Sequence, residues 1–236
     1  MNATPKLDES SCWEFFRDNR STFLPGFGER DQNCAYETVL VLYNIWATNR
    51  GWHQSPPTSV PLLGAKTTFT RTCSCGSAFA DESRWEPGLV LPVGGTSTSL
   101  ENLLQGALTS SVGEPSVCEN CNKLSARSEV LRIDDSAEYV FFFLSRFTSD
   151  GRKLTTETSF SPEITFHNKR YGLRAIVVHQ GSSINDGHYF SYVKFRANGF
   201  WWRCEGKPGL PQETFFATKN NSPLTEEPSL LLYKKL

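Results

Sequence analysis

Two close pairs of cysteines constrain this chain more than any other feature. Cys73-Ser74-Cys75 and Cys118-Glu119-Asn120-Cys121 are separated by 42 residues, 76 to 117. Four thiolates around one ion would tie two distant turns together and close a long loop. The second pair has the C-x-x-C spacing of a metal knuckle, whereas the first, C-x-C, closes a smaller chelate ring. The competing reading is four reduced thiols at strand ends. For a shared ion, zinc is the expectation. The site would then be structural, because four thiolates leave no open coordination position. Seven cysteines in all, an odd number, favour metal over a disulfide framework and so a reducing compartment.

Lys and Arg number 24 against 25 Asp and Glu, a balance that gives no electrostatic case for a nucleic-acid or membrane partner. No apolar run reaches membrane-spanning length. The opening MNATPKLDESSCWEFF lacks the basic-then-apolar order of a secretory leader. The expected setting is inside the cell, in cytoplasm or nucleus. A length of 236 residues is ample for a single domain with a buried core.

Residues 33–46, NCAYETVLVLYNIW, carry apolar side chains at helical spacing, with Asn33 or Asp31 as cap. Residues 100–107 read as a short helix behind a Ser/Thr cap. Residues 139–147, YVFFFLSRF, form an apolar run of strand length, and 173–179 another. Residues 189–195 and 200–204 flank Arg-Ala-Asn-Gly, a hairpin turn, and 230–233 is a last strand. Helices first and an antiparallel sheet afterwards give an α+β fold.

Within that hairpin, His188 follows Gly187, and Glu205 stands seventeen residues further on, at the end of the returning strand. A hairpin of this length brings its strand ends side by side, so Glu205 is a candidate to orient the His188 imidazole as a general base. A surface hydrogen bond is the alternative for any lone His–acid pair. Gly187 lets another backbone come close to the ring, and His179 reads as a satisfied core histidine.

The stretch YGLRAIVVHQGSSINDGHYFSYVKF resembles the histidine box of the ubiquitin-specific proteases, papain-like cysteine proteases that cleave ubiquitin from its conjugates. TRTCSCGSAF and VCENCNKL resemble that family's zinc knuckles, YVFFFLSRFTSDGRKL its strand ending in Lys-Arg-Phe, and SLLLYKKL its closing strand, all in order. The resemblance covers residues 12 to 236. It implies one papain-like domain, with a thumb-like part over 12–60, fingers pinned by zinc at Cys73, Cys75, Cys118 and Cys121 over 61–135, and a palm over 136–236. It further implies ubiquitin as partner, His188 as general base and Glu205 in the place of the usual Asp or Asn. Gly206 replaces the acid that often follows.

The family's cysteine box, Gly-Asn-Thr-Cys-Tyr-Met-Asn, has no counterpart here. Cys34, in GFGERDQNCAYETVLVL, precedes a helix whose dipole would lower a thiol pKa, and it is the candidate nucleophile. The same stretch matches better the family's Gln-Asp-Ala-His-Glu-Phe-Leu segment. In that register Cys34 falls where the family has Asp, Glu37 is a contact for the basic tail of ubiquitin, and the chain is expected to begin after the cysteine box. Cys12 has no supporting motif. Two functions stand: a thiol-dependent deubiquitinase, truncated or degenerate in its nucleophile, and a non-catalytic ubiquitin-binding module.

Overall fold

The computed structural model describes residues 34–50, 61–109, 111–113, 115–194, 201–205, 214–218 and 226–236; of residues 49, 50, 202, 205 and 214–218 it describes the backbone. Two helices accompany seventeen strands among these residues. Helix α1 spans Ala35–Arg50, starting two residues later and ending four later than the periodicity predicts. Asp31 and Asn33, the expected caps, lie outside the described residues.

The larger sheet is built on the apolar run. Its strands are β4 (Gly88–Pro92), β10 (Tyr139–Ser145), β12 (Glu163–Phe166), β13 (Lys169–Ser183), β14 (Asp186–Lys194), β15 (Trp201–Glu205), β16 (Thr214–Thr218) and β17 (Pro228–Lys235). Their order is β16-β15-β14-β13-β17-β10-β4, with β12 on β13. A strand as apolar as β10 needs cover on both faces, and Val140, Phe142, Phe143 and Leu144 are all buried. Phe142 meets Phe166 and Tyr233 edge-on, at ring separations of 5.3 and 5.7 Å, an arrangement that aromatic quadrupoles favour.

The sheet is not wholly antiparallel, as the sequence suggests. β10 pairs antiparallel with β17 (Phe142 opposite Leu231) but parallel with β4 (Phe142 opposite Leu89). The short helix α2 (Leu100–Leu108) follows β4 and adds Leu100 and Leu104 to the same core. Its cap is Ser99, whose hydroxyl accepts the Asn102 N–H at 3.1 Å, satisfying one of the free donors of the first turn.

A second sheet holds β1 (Ala65–Thr72), β2 (Ala78–Ala80), β3 (Arg84–Glu86), β6 (Ser111–Val112) and β9 (Ser128–Ser136), with β1 and β9 paired along their whole length. Beyond its tip lies the small hairpin of β7 (Ser116–Val117) and β8 (Leu124–Ser125). β5 (Thr98–Ser99) and β11 (Thr158–Ser159) form a short parallel pair. The two sheets meet at Tyr171, whose buried hydroxyl donates to the Ala137 carbonyl (2.7 Å) and shares a hydrogen bond with Ser136 Oγ (2.9 Å). Nearby, Tyr43 and Ala47 of α1 pack on Leu63, Trp85 and Ala137. Residues 61–135 thus supply most of the second sheet, but β4 and α2 belong to the core of the first.

Candidate functional site

Both cysteine pairs sit on tight turns at the tip of the second sheet. In the first, Cys73 N–H donates to Ser77 O and Gly76 N–H to Cys73 O, both at 2.9 Å. Gly76 takes φ +89°, a conformation that favours glycine. In the second, Cys118 N–H donates to Lys123 O (3.0 Å) and Asn122 N–H to Cys118 O (2.7 Å), with Asn122 at φ +55°. Asparagine tolerates that left-handed conformation.

These turns bring the four sulfurs within 4.8 Å of one another. Cys73 Sγ lies 3.9 Å from Cys121 Sγ, and Cys75 Sγ lies 3.8 Å from Cys118 Sγ. A tetrahedron with metal–sulfur bonds of about 2.3 Å has sulfur–sulfur edges of about 3.8 Å, so the donor set fits a Cys₄ ion, C-x-C turn included. The Cys73 thiol is held at about 6 by the Cys75 N–H and then the Ser125 hydroxyl. The Ser77 hydroxyl and N–H lower Cys75. For Cys121, the Lys123 N–H works downward, but burial and the neighbouring sulfurs prevail and raise it to about 11. Sequence reasoning missed Ser77 and Ser125, whose Oγ atoms stand 3.3 Å from Cys75 Sγ and 3.6 Å from Cys73 Sγ. Such donors stabilise thiolates, and they become visible only once the turns are folded.

The histidine hairpin is β13 and β14. Gln180 pairs with His188 and His179 with Tyr189. Alternation along β14 puts half-buried His188 on the face of Phe190 and Tyr192, both members of the main core. Tyr189 points to the other face, where its ring lies 4.7 Å from the fully buried ring of His179. Phe147 covers the same imidazole edge-on at 5.4 Å. Burial, and then the charge of Lys153, lower the His179 pKa, so this ring is neutral. Gly187 has φ +142°, and a Cβ there would stand 2.4 Å from the Gln180 carbonyl oxygen and 2.6 Å from His179 Nε2. The backbone that comes close here is that of Gln180, and the ring packed against Gly187 is that of His179. Glu205 ends β15, one residue past Cys204, which pairs with Ser191. The Glu205 side chain and Gly206 lie outside the described residues.

Cys34 stands immediately before α1, and Glu37 is exposed in its first turn. The phenol of Tyr189 meets this helix end. Burial raises its pKa to about 12, the Cys34 sulfur adds to the rise, and the Ala35 N–H opposes it. Cys34 thus adjoins Tyr189, on the face of β14 opposite His188. Both border a cleft of about 280 Å³ whose walls include Tyr36, Val90, Phe143 and Ile184. Tyr36 and Phe143 meet edge-on at 4.6 Å. Cys12 lies outside the described residues.

Among the described residues no helix is long and apolar enough to cross a membrane, which says nothing of β-barrels. The family model described as ubiquitin carboxyl-terminal hydrolase matches residues 31–233. Ubiquitin carboxyl-terminal hydrolase 26 of Oryza sativa subsp. japonica is 30% identical over 160 residues, 60% of this chain and 15% of the rice protein. Ubiquitin carboxyl-terminal hydrolase 20 of Arabidopsis thaliana is 26% identical over 198 residues, 76% of this chain and 28% of that protein. The chain therefore spans less than a third of either relative. Among solved structures, the SAGA Ubp8/Sgf11/Sus1/Sgf73 DUB module bound to ubiquitin aldehyde superposes with a TM-score of 0.59 at 18% identity. That match covers 98% of this chain and 49% of the other, and it establishes the shared fold. A family match across residues 31–233, with the fold to go with it, means that the chain belongs to the ubiquitin carboxyl-terminal hydrolase family and carries its ubiquitin-specific protease domain.

Proposed function

We propose that this chain is a ubiquitin-engaging deubiquitinase domain that holds the general base, His188, and the ubiquitin-binding surfaces, but no competent nucleophile among its described residues. The observation that carries the reading is the position of Cys34, beside Tyr189 and on the face of β14 opposite His188. A base on the wrong side of a strand cannot take the proton of a thiol at hydrogen-bond distance. In this reading α1 is the helix that flanks the ubiquitin tail, Glu37 meets the basic residues of that tail, and Glu205 orients His188. With a cysteine supplied, thiolate attack on the isopeptide carbonyl would give an acyl-enzyme, and His188 would shuttle the proton. Without one, water is the only nucleophile and the covalent step is lost. The ubiquitin aldehyde held by the SAGA module supports ubiquitin as partner.

We further propose that Cys73, Cys75, Cys118 and Cys121 hold one structural zinc, on the strength of their tetrahedral spacing. Elemental analysis of protein purified without chelators should find about one zinc per chain, and none would sink this assignment. The test of activity is a ubiquitin carrying a C-terminal electrophile. The expected result is no labelling of the wild-type chain, together with measurable ubiquitin binding that Glu37→Arg weakens. Labelling that Cys34→Ala and His188→Ala each abolish, and Cys12→Ala does not, would make Cys34 the nucleophile. Ubiquitin binding without labelling also fits a non-catalytic module; activity gained on adding a cysteine-bearing segment separates the two.

A further inference from the structure

We propose that the tip of the second sheet has another closed state, in which Cys73 is disulfide-bonded to Cys121 and Cys75 to Cys118, across the two turns rather than within them. The geometry makes this pairing available: all four sulfurs fall within 4.8 Å of one another, and the two crosswise contacts stand at 3.9 and 3.8 Å. A disulfide of about 2.05 Å then requires each sulfur to move by roughly 1 Å, well within the reach of a χ1 adjustment. The alternative bond between Cys73 and Cys75 would close a small, strained ring inside a turn already fixed by the Cys73–Ser77 and Gly76–Cys73 hydrogen bonds.

The oxidant is a peroxide. One sulfur of a pair attacks a peroxide oxygen, the O–O bond breaks, and a sulfenic acid and one water result. The partner thiol displaces the hydroxyl as a second water, and the S–S bond forms. Two thiols and one hydrogen peroxide thus give one disulfide and two waters, and the cluster as a whole consumes two peroxides. An ion bound by the four sulfurs is released as its donors are used. The bridges close loops of 48 and 43 residues, so the tip stays pinned when the metal is gone. A dithiol reductant restores the metal-binding form. The metal-loaded state rests on the zinc reading above; the oxidised state rests on the sulfur geometry alone.

The test uses the full chain, stripped of metal under reducing conditions, desalted, oxidised with hydrogen peroxide, alkylated and mapped by non-reducing peptide mass spectrometry. The expected products are the crosslinks 73–121 and 75–118 in a monomer, with Cys34 recovered alkylated. The oxidised chain should also resist protease at residues 113–127 as the untreated chain does, cleaving about tenfold more slowly than the reduced, stripped chain, since cleavage follows the opened population. Bonds 73–75 and 118–121, interchain products, thiols left free after peroxide, or protease sensitivity equal to that of the stripped chain would each overturn the proposal. The double variant Cys73→Ser/Cys121→Ser should still form 75–118. Zinc content of the untreated chain, measured in parallel, separates the two readings: its absence removes the zinc assignment while the crosslink map still judges the disulfides.

Discussion

Replacing Gly187 by alanine should unseat the strand that carries His188. At φ +142° an L side chain pays a conformational penalty of about 1–2 kcal/mol. The new methyl would also stand 2.4 Å from the Gln180 carbonyl oxygen and 2.6 Å from His179 Nε2. Neither neighbour can yield freely. Gln180 is held in register opposite His188, and the His179 ring is buried between Phe147 and Tyr189. Overpacking of this kind costs about 1–3 kcal/mol, so the sum is near 3 kcal/mol. For a domain of this size that lowers the melting temperature by about 6–12 °C. Thermal unfolding followed by circular dichroism measures it, with Gly95→Ala as control, because a Cβ at Gly95 meets nothing within 4 Å. The variant His179→Ala/Gly187→Ala relieves the ring contact but not the carbonyl contact, so the two substitutions should couple by only about 1 kcal/mol. A Gly187→Ala chain that melts within about 1 °C of wild type would refute the reasoning.

Three further outcomes follow from buried or capping groups. Burial opposes the charge on Asp134, yet hydrogen bonds from Ser83, Thr68 and Arg132 outweigh it and hold its carboxyl at about 2, against 3.8 when free. The folded chain therefore binds fewer protons than the unfolded one, and the stability Asp134 confers is complete above pH 3.8 and lost as pH falls through about 2; Asp134→Asn should flatten the melting curve across that window. Tyr171→Phe leaves the buried Ala137 carbonyl without its donor and should cost about 1–3 kcal/mol in urea unfolding. Ser99→Ala removes the cap of α2 and should cost about 1 kcal/mol by the same assay.

The sequence made legible those features whose cause is local. The cysteine pairs were readable because chelation dictates spacing, and β10 because its seven residues are almost all apolar. The second sheet was harder to see. β1 and β9 are rich in Thr, Arg, Asp and Glu, and their residues are largely half-buried or exposed, so no apolar run announces them. The parallel pairing of β4 with β10 leaves no mark in either strand, since it is decided some fifty residues away along the chain. For the site, Gly187 could be recognised as a place of close approach, but its partner could not be named. His179 lies eight residues upstream, and only the bulged register of the hairpin brings its ring there. The meeting of Cys34 with Tyr189 is a contact between the residue before the first described helix and a strand residue 155 positions later (189 − 34), which no spacing rule anticipates.

β17 has a consequence for synthesis. It lies between β13 and β10 in the larger sheet, bonded to both, although it follows both in the chain. Until residue 235 has left the ribosome, those two strands have no common neighbour, and the core residues Leu231 and Tyr233 are missing from the middle of the structure. From the synthesis of Ser183, which completes β13, until β17 is made, the nascent chain therefore carries two unpaired strand edges, the kind of surface that templates aggregation. Completion of the larger sheet is thus a zipper closed from its centre by β17.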